Sequence, residues 1–257
     1  MPTSMTIPAY VINLDGSSDR LAAISADFEQ AGMTFTRIPA VDGRGLDLQQ
    51  LPDCDPDRAM SIYGRALTGG EYGCYKSHLA CAQRMLDDGH EIALVFEDDV
   101  VLDPAFMPVI SDALAALEDS GLEWRLINLG AGLTRIFTPV TQLTADRMLV
   151  AAHYFPQRTF GLLWHRKGAE EFVARHSNVS MTVDNLFRHV MVRQGGGFAV
   201  VPPIVHHVEG ASVIDAGERN KRYSERRWTY GLLKQRRFWV NRAIAVYKKL
   251  TFPRPAA

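Results

Sequence analysis

The sequence predicts an α/β protein, a doubly wound sheet with a basic amphipathic helix at its C-terminal end. Short apolar runs alternate with amphipathic helical stretches from the first residues onward. The 257 residues suit one substantial domain with an appendage, and 47% hydrophobic against 22% charged residues is an ordinary globular balance. Basic charge gathers late: residues 219–254 hold twelve Lys or Arg and one acid, +11, which leaves −12 on the remainder. The expected division is an α/β domain over 1–215 and a basic amphipathic tail over 216–257. No stretch approaches the ~18–20 apolar residues of a membrane span. The N-terminus lacks the basic and apolar regions of a signal peptide. Three cysteines (Cys54, Cys74, Cys81) form no Cys-x-x-Cys pair, which points away from a disulfide or zinc-knuckle scaffold and towards a reducing cytoplasm.

Ala9 to Leu14 reads as a buried strand, and Asp15-Gly-Ser-Ser-Asp supplies turn and cap chemistry. Leu21, Ile24, Phe28 and Ala31 then form a helical stripe ending at Gly32, followed by a strand over Phe35–Ala40. Residues 44–68 are polar, rich in Asp, Pro and Gly, and read as a long loop. After Gly69-Gly70, Tyr75, Leu79, Ala82 and Leu86 give the inner face of a helix that ends at Asp88-Gly89. Ile92–Phe96 is an apolar strand running into Glu97-Asp98-Asp99. Asp103-Pro104 reads as a helix start, and Trp124–Leu129 as another strand. Two strands follow between Met148 and His165, then helices over 168–176 and 184–192. A last strand lies between Gly197 and Pro202.

In open α/β sheets, ligands bind beyond the carboxyl ends of the strands, where Glu97-Asp98-Asp99 sits. Adjacent carboxylates repel unless solvent or a cation neutralises them. Glu97 and Asp99, two apart in extended chain, point the same way and suit one hard cation, while Asp98 points elsewhere. A solvated turn is the alternative. Gly69-Gly70-Glu71 opens a helix where backbone amides can meet phosphate, and Ser77 and His78 fall off the apolar stripe, free for polar work. An ordinary capped helix is the other account. Asn13, Asp15 and Arg20 follow the first strand, with Arg20 able to hold a pyrophosphate; the Gly-x-Gly-x-x-Gly fingerprint is absent.

Tyr10-Val-Ile-Asn-Leu…Asp19-Arg20, Leu67-Thr-Gly-Gly-Glu-Tyr-Gly-Cys-Tyr-Lys-Ser-His78 and Ala93-Leu-Val-Phe-Glu-Asp-Asp-Val100, in that order and spacing, resemble glycosyltransferase family 25. The group includes lipooligosaccharide galactosyltransferases. The resemblance implies a GT-A-like, Rossmann-type nucleotide-sugar-binding fold. It also implies an inverting, metal-dependent transfer of a sugar, galactose foremost, from a UDP-sugar to a lipooligosaccharide or related glycan. Glu97 and Asp99 would be the variant Asp-x-Asp pair holding Mn²⁺ or Mg²⁺, with His207 of the His206-His207 pair as a further ligand. Asn13, Asp15, Arg20, Asp42, Gly70, Glu71, Ser77 and His78 would bind the nucleotide sugar. Catalytic roles fall to Asp184 as base and to Glu97 and Asp98. Against these stand a helix N-cap role for Asp184 with Thr182, a buried turn carboxylate at Asp42 and a polar strand end at His206-His207.

Trp228, Leu232, Trp239, Ala243, Val246 and Leu250 lie on one helical stripe, with Lys and Arg opposite. Such a helix lies on an anionic membrane surface, placing the protein peripherally on the inner face of the membrane near a lipid-linked acceptor. A helix docked on the body and a nucleic-acid patch are the alternatives. Two other functions compete. A glycoside hydrolase needs carboxylates facing across a sugar at roughly 5–9 Å, which adjacent acids do not supply. A silent nucleotide-sugar-binding adaptor differs from the enzyme only in turnover.

Overall fold

The computed structural model describes residues 7–130, 132, 135–208 and 226–253. Eight strands form one sheet: β1 (Ala9–Asn13), β2 (Thr36–Pro39), β3 (Ile92–Glu97), β5 (Leu126–Asn128), β6 (Phe137–Gln142), β7 (Met148–Ala152), β8 (Gly161–His165) and β9 (Gly197–Val201). Their order is β2-β1-β3-β8-β5-β9-β7-β6. Six strands run the same way, and β8 and β7 run against them. A separate antiparallel pair joins β4 (Val100–Leu102) to β10 (Val205–His207).

The sheet is covered on both faces, which explains its unbroken apolar runs. Tyr10, Ile12, Ala93 and Val95 pack into one core with α2 (Pro56–Tyr63), α3 (Gly69–Asp87), α5 (Arg166–Arg175) and α6 (Val183–Gln194). Ala9, Val11, Leu94 and Phe96 point the other way, into a second core with α1 (Ser18–Gln30) and α4 (Phe106–Ser120). This is the doubly wound arrangement expected from the sequence.

Local differences have local causes. The expected loop over 44–68 contains α2: Asp55 caps it by accepting from Arg58 N at 2.9 Å, Pro56 occupies its first turn, and Gly64 ends it at φ 70°. Asp103 does not cap α4. It accepts from Ala105 N at 2.8 Å in a tight turn and pairs with Arg147 at 2.6 Å, so the helix begins at Phe106. Strand β6 escaped the pattern because it lies at the sheet edge and breaks register at Pro139.

Two glycines fix how α3 meets the sheet. A Cβ on Gly69 would lie 1.9 Å from Gly43 O, and one on Gly73 would lie 2.3 Å from Val41 O. The glycines therefore bring α3 against its own chain after β2.

The boundary at 215/216 lies outside the described residues. The tail contains α7 (Tyr230–Thr251), which packs on α6 and α2. Arg237 donates to Ile62 O and lies over the Tyr63 ring, Arg193 bonds Asn241 Oδ1 at 3.0 Å, and Ala245 is fully buried. The helix also keeps an apolar outer face. Leu232 is 65% exposed, Trp239 62% and Leu250 80%, and Trp228, just before the helix, is 86% exposed. The docked and amphipathic readings describe opposite sides of one helix. No helix among the described residues is long and apolar enough to cross a membrane.

Candidate active site

The parallel register brings three strand ends to one edge: Asn13 of β1, Glu97 of β3 and Asn128 of β5, with the start of antiparallel β8 at Gly161 beside them. Below that edge lies α3, whose Cys74 and His78 are one turn apart and face the same side.

The acidic tripeptide is held open by cations and donors. Asn13 Nδ2 donates to Asp98 Oδ2 at 2.7 Å, and Arg20 Nη1 reaches Asp98 Oδ1 at 3.1 Å and Asp99 Oδ2 at 3.4 Å. The β4–β10 pair brings His207 Nε2 within 3.2 Å of Asp99 Oδ2, and both His206 and His207 are exposed. Asp99 Oδ1 is buried without a hydrogen-bond partner. Burial raises the Asp99 pKa, reinforced by the Glu97 charge, and His207 and Arg20 only partly oppose this. Glu97 behaves differently. Burial raises its pKa, but His78, Thr159 and His207 outweigh that and leave it below the usual value. Thr159 Oγ1 donates to Glu97 Oε1 at 3.0 Å.

The other expected ligands separate into two groups. Ser77 and His78 are not free on the surface: they are 1% and 0% exposed. Ser77 Oγ donates to Gly73 O at 2.7 Å and accepts from Val41 N at 2.9 Å, which ties α3 to the chain after β2. Glu71 is drawn into a capping box with Thr68 and a buried ion pair with Arg65 at 2.8 Å, beside Gly70. Asp42 is exposed rather than a buried turn carboxylate; its hydrogen bonds from Arg44 lower its pKa to about 2. Asp15 is exposed and takes Arg37 at 2.5 Å.

Asp184 lies in the first turn of α6, where its Oδ1 accepts from Thr182 Oγ1 at 2.5 Å and from Asn185 N at 2.7 Å. Thr182 is the cap position, yet its side chain makes no cap bond. The Asp184 charge reaches the cluster. Burial raises the Cys74 thiol pKa far above its usual value, with Glu97 next and then Asp184 adding to it.

Sequence reasoning missed Cys74, Asn128, Arg158 and Thr159. Asn128 Nδ2 donates to Arg158 O at 2.8 Å and its Oδ1 accepts from Gly130 N at 3.1 Å. The first of these bonds engages Arg158 at φ 77°, a left-handed conformation that costs on the order of 1–3 kcal/mol outside glycine. Cys74 alone left a signal, its position four residues before His78 on an expected helix. The contacts of Asn128 and Thr159 arise only when β8 comes between β5 and β3.

A family description, glycosyltransferase family 25 (LPS biosynthesis protein), matches residues 6–187. The chain belongs to glycosyltransferase family 25. Procollagen galactosyltransferase 1-A of Xenopus laevis is 28% identical over 186 residues, covering 71% of this chain and 30% of that protein. Procollagen galactosyltransferase 2 of Homo sapiens is 27% identical with the same coverage. A glycosyltransferase 25 family member of Anopheles gambiae is 32% identical over 125 residues, 47% of this chain and 21% of that one. This family 25 chain thus spans under a third of the length of these relatives. Among solved structures, a glycosyltransferase involved in glycosylation of the PBCV-1 major capsid aligns with TM-score 0.40 and 10% identity, over 85% of this chain and 97% of that one. The galactosyltransferase LgtC aligns with TM-score 0.41 and 13% identity, over 91% and 96%. Likeness at this level adds nothing to the functional argument, which rests on the family and the site.

Proposed function

We propose that the protein transfers a sugar from a UDP-sugar to a glycan acceptor, with inversion, using a divalent cation held at Glu97 and Asp99. The observation that carries this reading is the acidic cluster at the carboxyl edge of the sheet, in a chain of this family. The residues fit a hard cation: Asp99 presents a buried, unpartnered Oδ1, its charge is under-compensated, and His207 stands beside it. Mn²⁺ or Mg²⁺ bound there would neutralise charge on the departing UDP.

The chain's own groups perform the rest. Asn13 and Arg20 fix Asp98 and so orient the turn that carries Asp99. Thr159 holds Glu97 by a hydrogen bond, and His78 Nε2 lies 3.5 Å from the same carboxylate oxygen. Asp184 takes the proton of the acceptor hydroxyl; Thr182 and Asn185 engage its Oδ1, and Oδ2 has no partner among the described residues. Galactose is the favoured donor sugar because the named relatives are galactosyltransferases. A lipid-linked glycan is the favoured acceptor, since the outer face of α7 combines exposed Leu232, Trp239 and Leu250 with exposed Arg236, and exposed Trp228 just precedes the helix. That face would seat the protein on the cytoplasmic leaflet.

Calorimetry of UDP with and without Mn²⁺, on wild type and Asp99→Asn, tests the donor site. Mn²⁺-dependent binding that disappears in the variant supports it. Equal binding by both proteins removes Asp99 from the site, and no binding at all leaves the adaptor reading without nucleotide.

A further inference from the structure

Cys74, His78 and Glu97 each offer one ligand atom, and these atoms all lie within 4.8 Å of one another. No other group of three such residues comes together this way among the described residues. His78 is 0% exposed, and neither Nδ1 nor Nε2 has a hydrogen-bond partner. An imidazole buried with both nitrogens unsatisfied is costly, and such a group calls for an explanation. Its ring lies edge-on to Phe187 with centroids 6.1 Å apart, in an apolar setting that supplies no substitute partner. Its Nε2 lies 3.5 Å from Glu97 Oε1, long for a hydrogen bond.

We propose that Cys74, His78 and Glu97 form a zinc site, separate from the hard-cation position at Asp99 and sharing Glu97 with it. The geometry is that of three ligands with one open position. Zn²⁺ holds sulfur at about 2.3 Å and nitrogen or oxygen at about 2.0–2.2 Å, so tetrahedral ligand–ligand edges are about 3.3–3.6 Å. The His78–Glu97 edge already has that length. Cys74 and His78, one turn apart on α3, present their ligand atoms on one side, and Cys74 and Glu97 are only partly buried, so an ion can enter. Thr159 supports the ligands by donating to Glu97. The donor set selects the metal: thiolate with imidazole favours Zn²⁺ and disfavours Mg²⁺ and Mn²⁺. Charge balances as well. The thiol releases its proton to solvent on binding, and thiolate and carboxylate then offset the two charges of the ion around a neutral imidazole. Because Glu97 serves both positions, Zn²⁺ would compete with the nucleotide-sugar ion. That consequence rests on the donor-site reading, whereas the zinc site does not.

The test uses metal alone, with no nucleotide, so it is independent of the UDP experiment. Titrating the full chain with Co²⁺ should produce a thiolate-to-cobalt charge-transfer band saturating at one equivalent and displaced by Zn²⁺. The band should vanish in Cys74→Ser and persist when Cys54 and Cys81 are both replaced by Ser. Absence of the band in wild type, or its survival in Cys74→Ser, would overturn the proposal.

Discussion

His78 Nε2 and Glu97 Oε1 face each other at 3.5 Å, one from the middle of α3 and the other from the last residue of β3. The contact joins the helix packed beneath the sheet to the edge where the acids gather. It also makes neighbouring carboxylates behave in opposite ways. Glu97 has the His78 imidazole 3.5 Å away on its buried side and the Thr159 hydroxyl donating to it, whereas Asp99 meets burial and two further acids.

The two carboxylates should therefore move stability with pH in opposite directions when no metal is bound. The folded pKa of Glu97 lies below its unfolded value of 4.5, so its ionised form stabilises the fold above that pH. That contribution is lost as pH falls through the lower folded value. The folded pKa of Asp99 lies above its unfolded 3.8, so its ionisation costs stability at neutral pH and the cost vanishes in acid. With chelator present, urea unfolding should find Glu97→Gln less stable than wild type at pH 7 and Asp99→Asn more stable. Both differences should shrink towards pH 3. Differences of the same sign at pH 7 would refute this electrostatic account.

Asp184→Asn keeps the Oδ1 that receives Thr182 and removes the proton-accepting capacity of the side chain. Turnover with a UDP-sugar should fall by ~10²-fold or more, the usual scale for a general base, while Mn²⁺-dependent UDP binding remains. Near-normal turnover would leave Asp184 as the anchor of the first turn of α6 and nothing more.

Glu71 shows what the sequence left undecided. The motif Thr68-Gly-Gly-Glu71 reads equally as a ligand loop and as a capping box, since both begin a helix with Gly and an acid. The structure adds Arg65, 8% exposed, which pairs with Glu71 at 2.8 Å. Glu71→Ala strands that guanidinium and should cost about 3–5 kcal/mol in chemical denaturation. A loss under about 1 kcal/mol, the level of an exposed pair, would show that Arg65 reaches solvent instead.

Much of the fold was legible because its strands are short apolar runs and its helices carry clean stripes, as in Ile92–Phe96 and in Leu21, Ile24 and Phe28. The acids at the end of β3 were legible for the same reason, since a charged triplet after an apolar run marks a strand end. The rest depended on distant chain. Ser77 and His78 fall off the apolar stripe yet are buried, because α3 is covered on more than that stripe: Gly69 and Gly73 admit the chain after β2 on a second side. His207 and His206 are indistinguishable as a dipeptide, and only the pairing of β10 with β4 turns the first of them to Asp99.

The opposite faces of α7 separate docking from surface binding in one experiment. Arg237, Asn241 and Ala245 hold the helix on the body, so truncating the tail would uncover Tyr63 and Arg193 and confuse the two effects. Trp239 and Leu250 lie on the outer face at 62% and 80% exposure, and their replacement leaves the docked side intact. Trp239→Asp with Leu250→Asp removes two apolar anchors and sets two acids against an anionic surface, where each nearby Lys or Arg contributes on the order of 1 kcal/mol. Sedimentation with vesicles containing phosphatidylserine should show wild type bound and the double variant free, with both proteins melting at the same temperature. Wild-type binding should weaken as salt screens the basic flank. Equal partitioning of the two proteins would assign the outer face to a different partner.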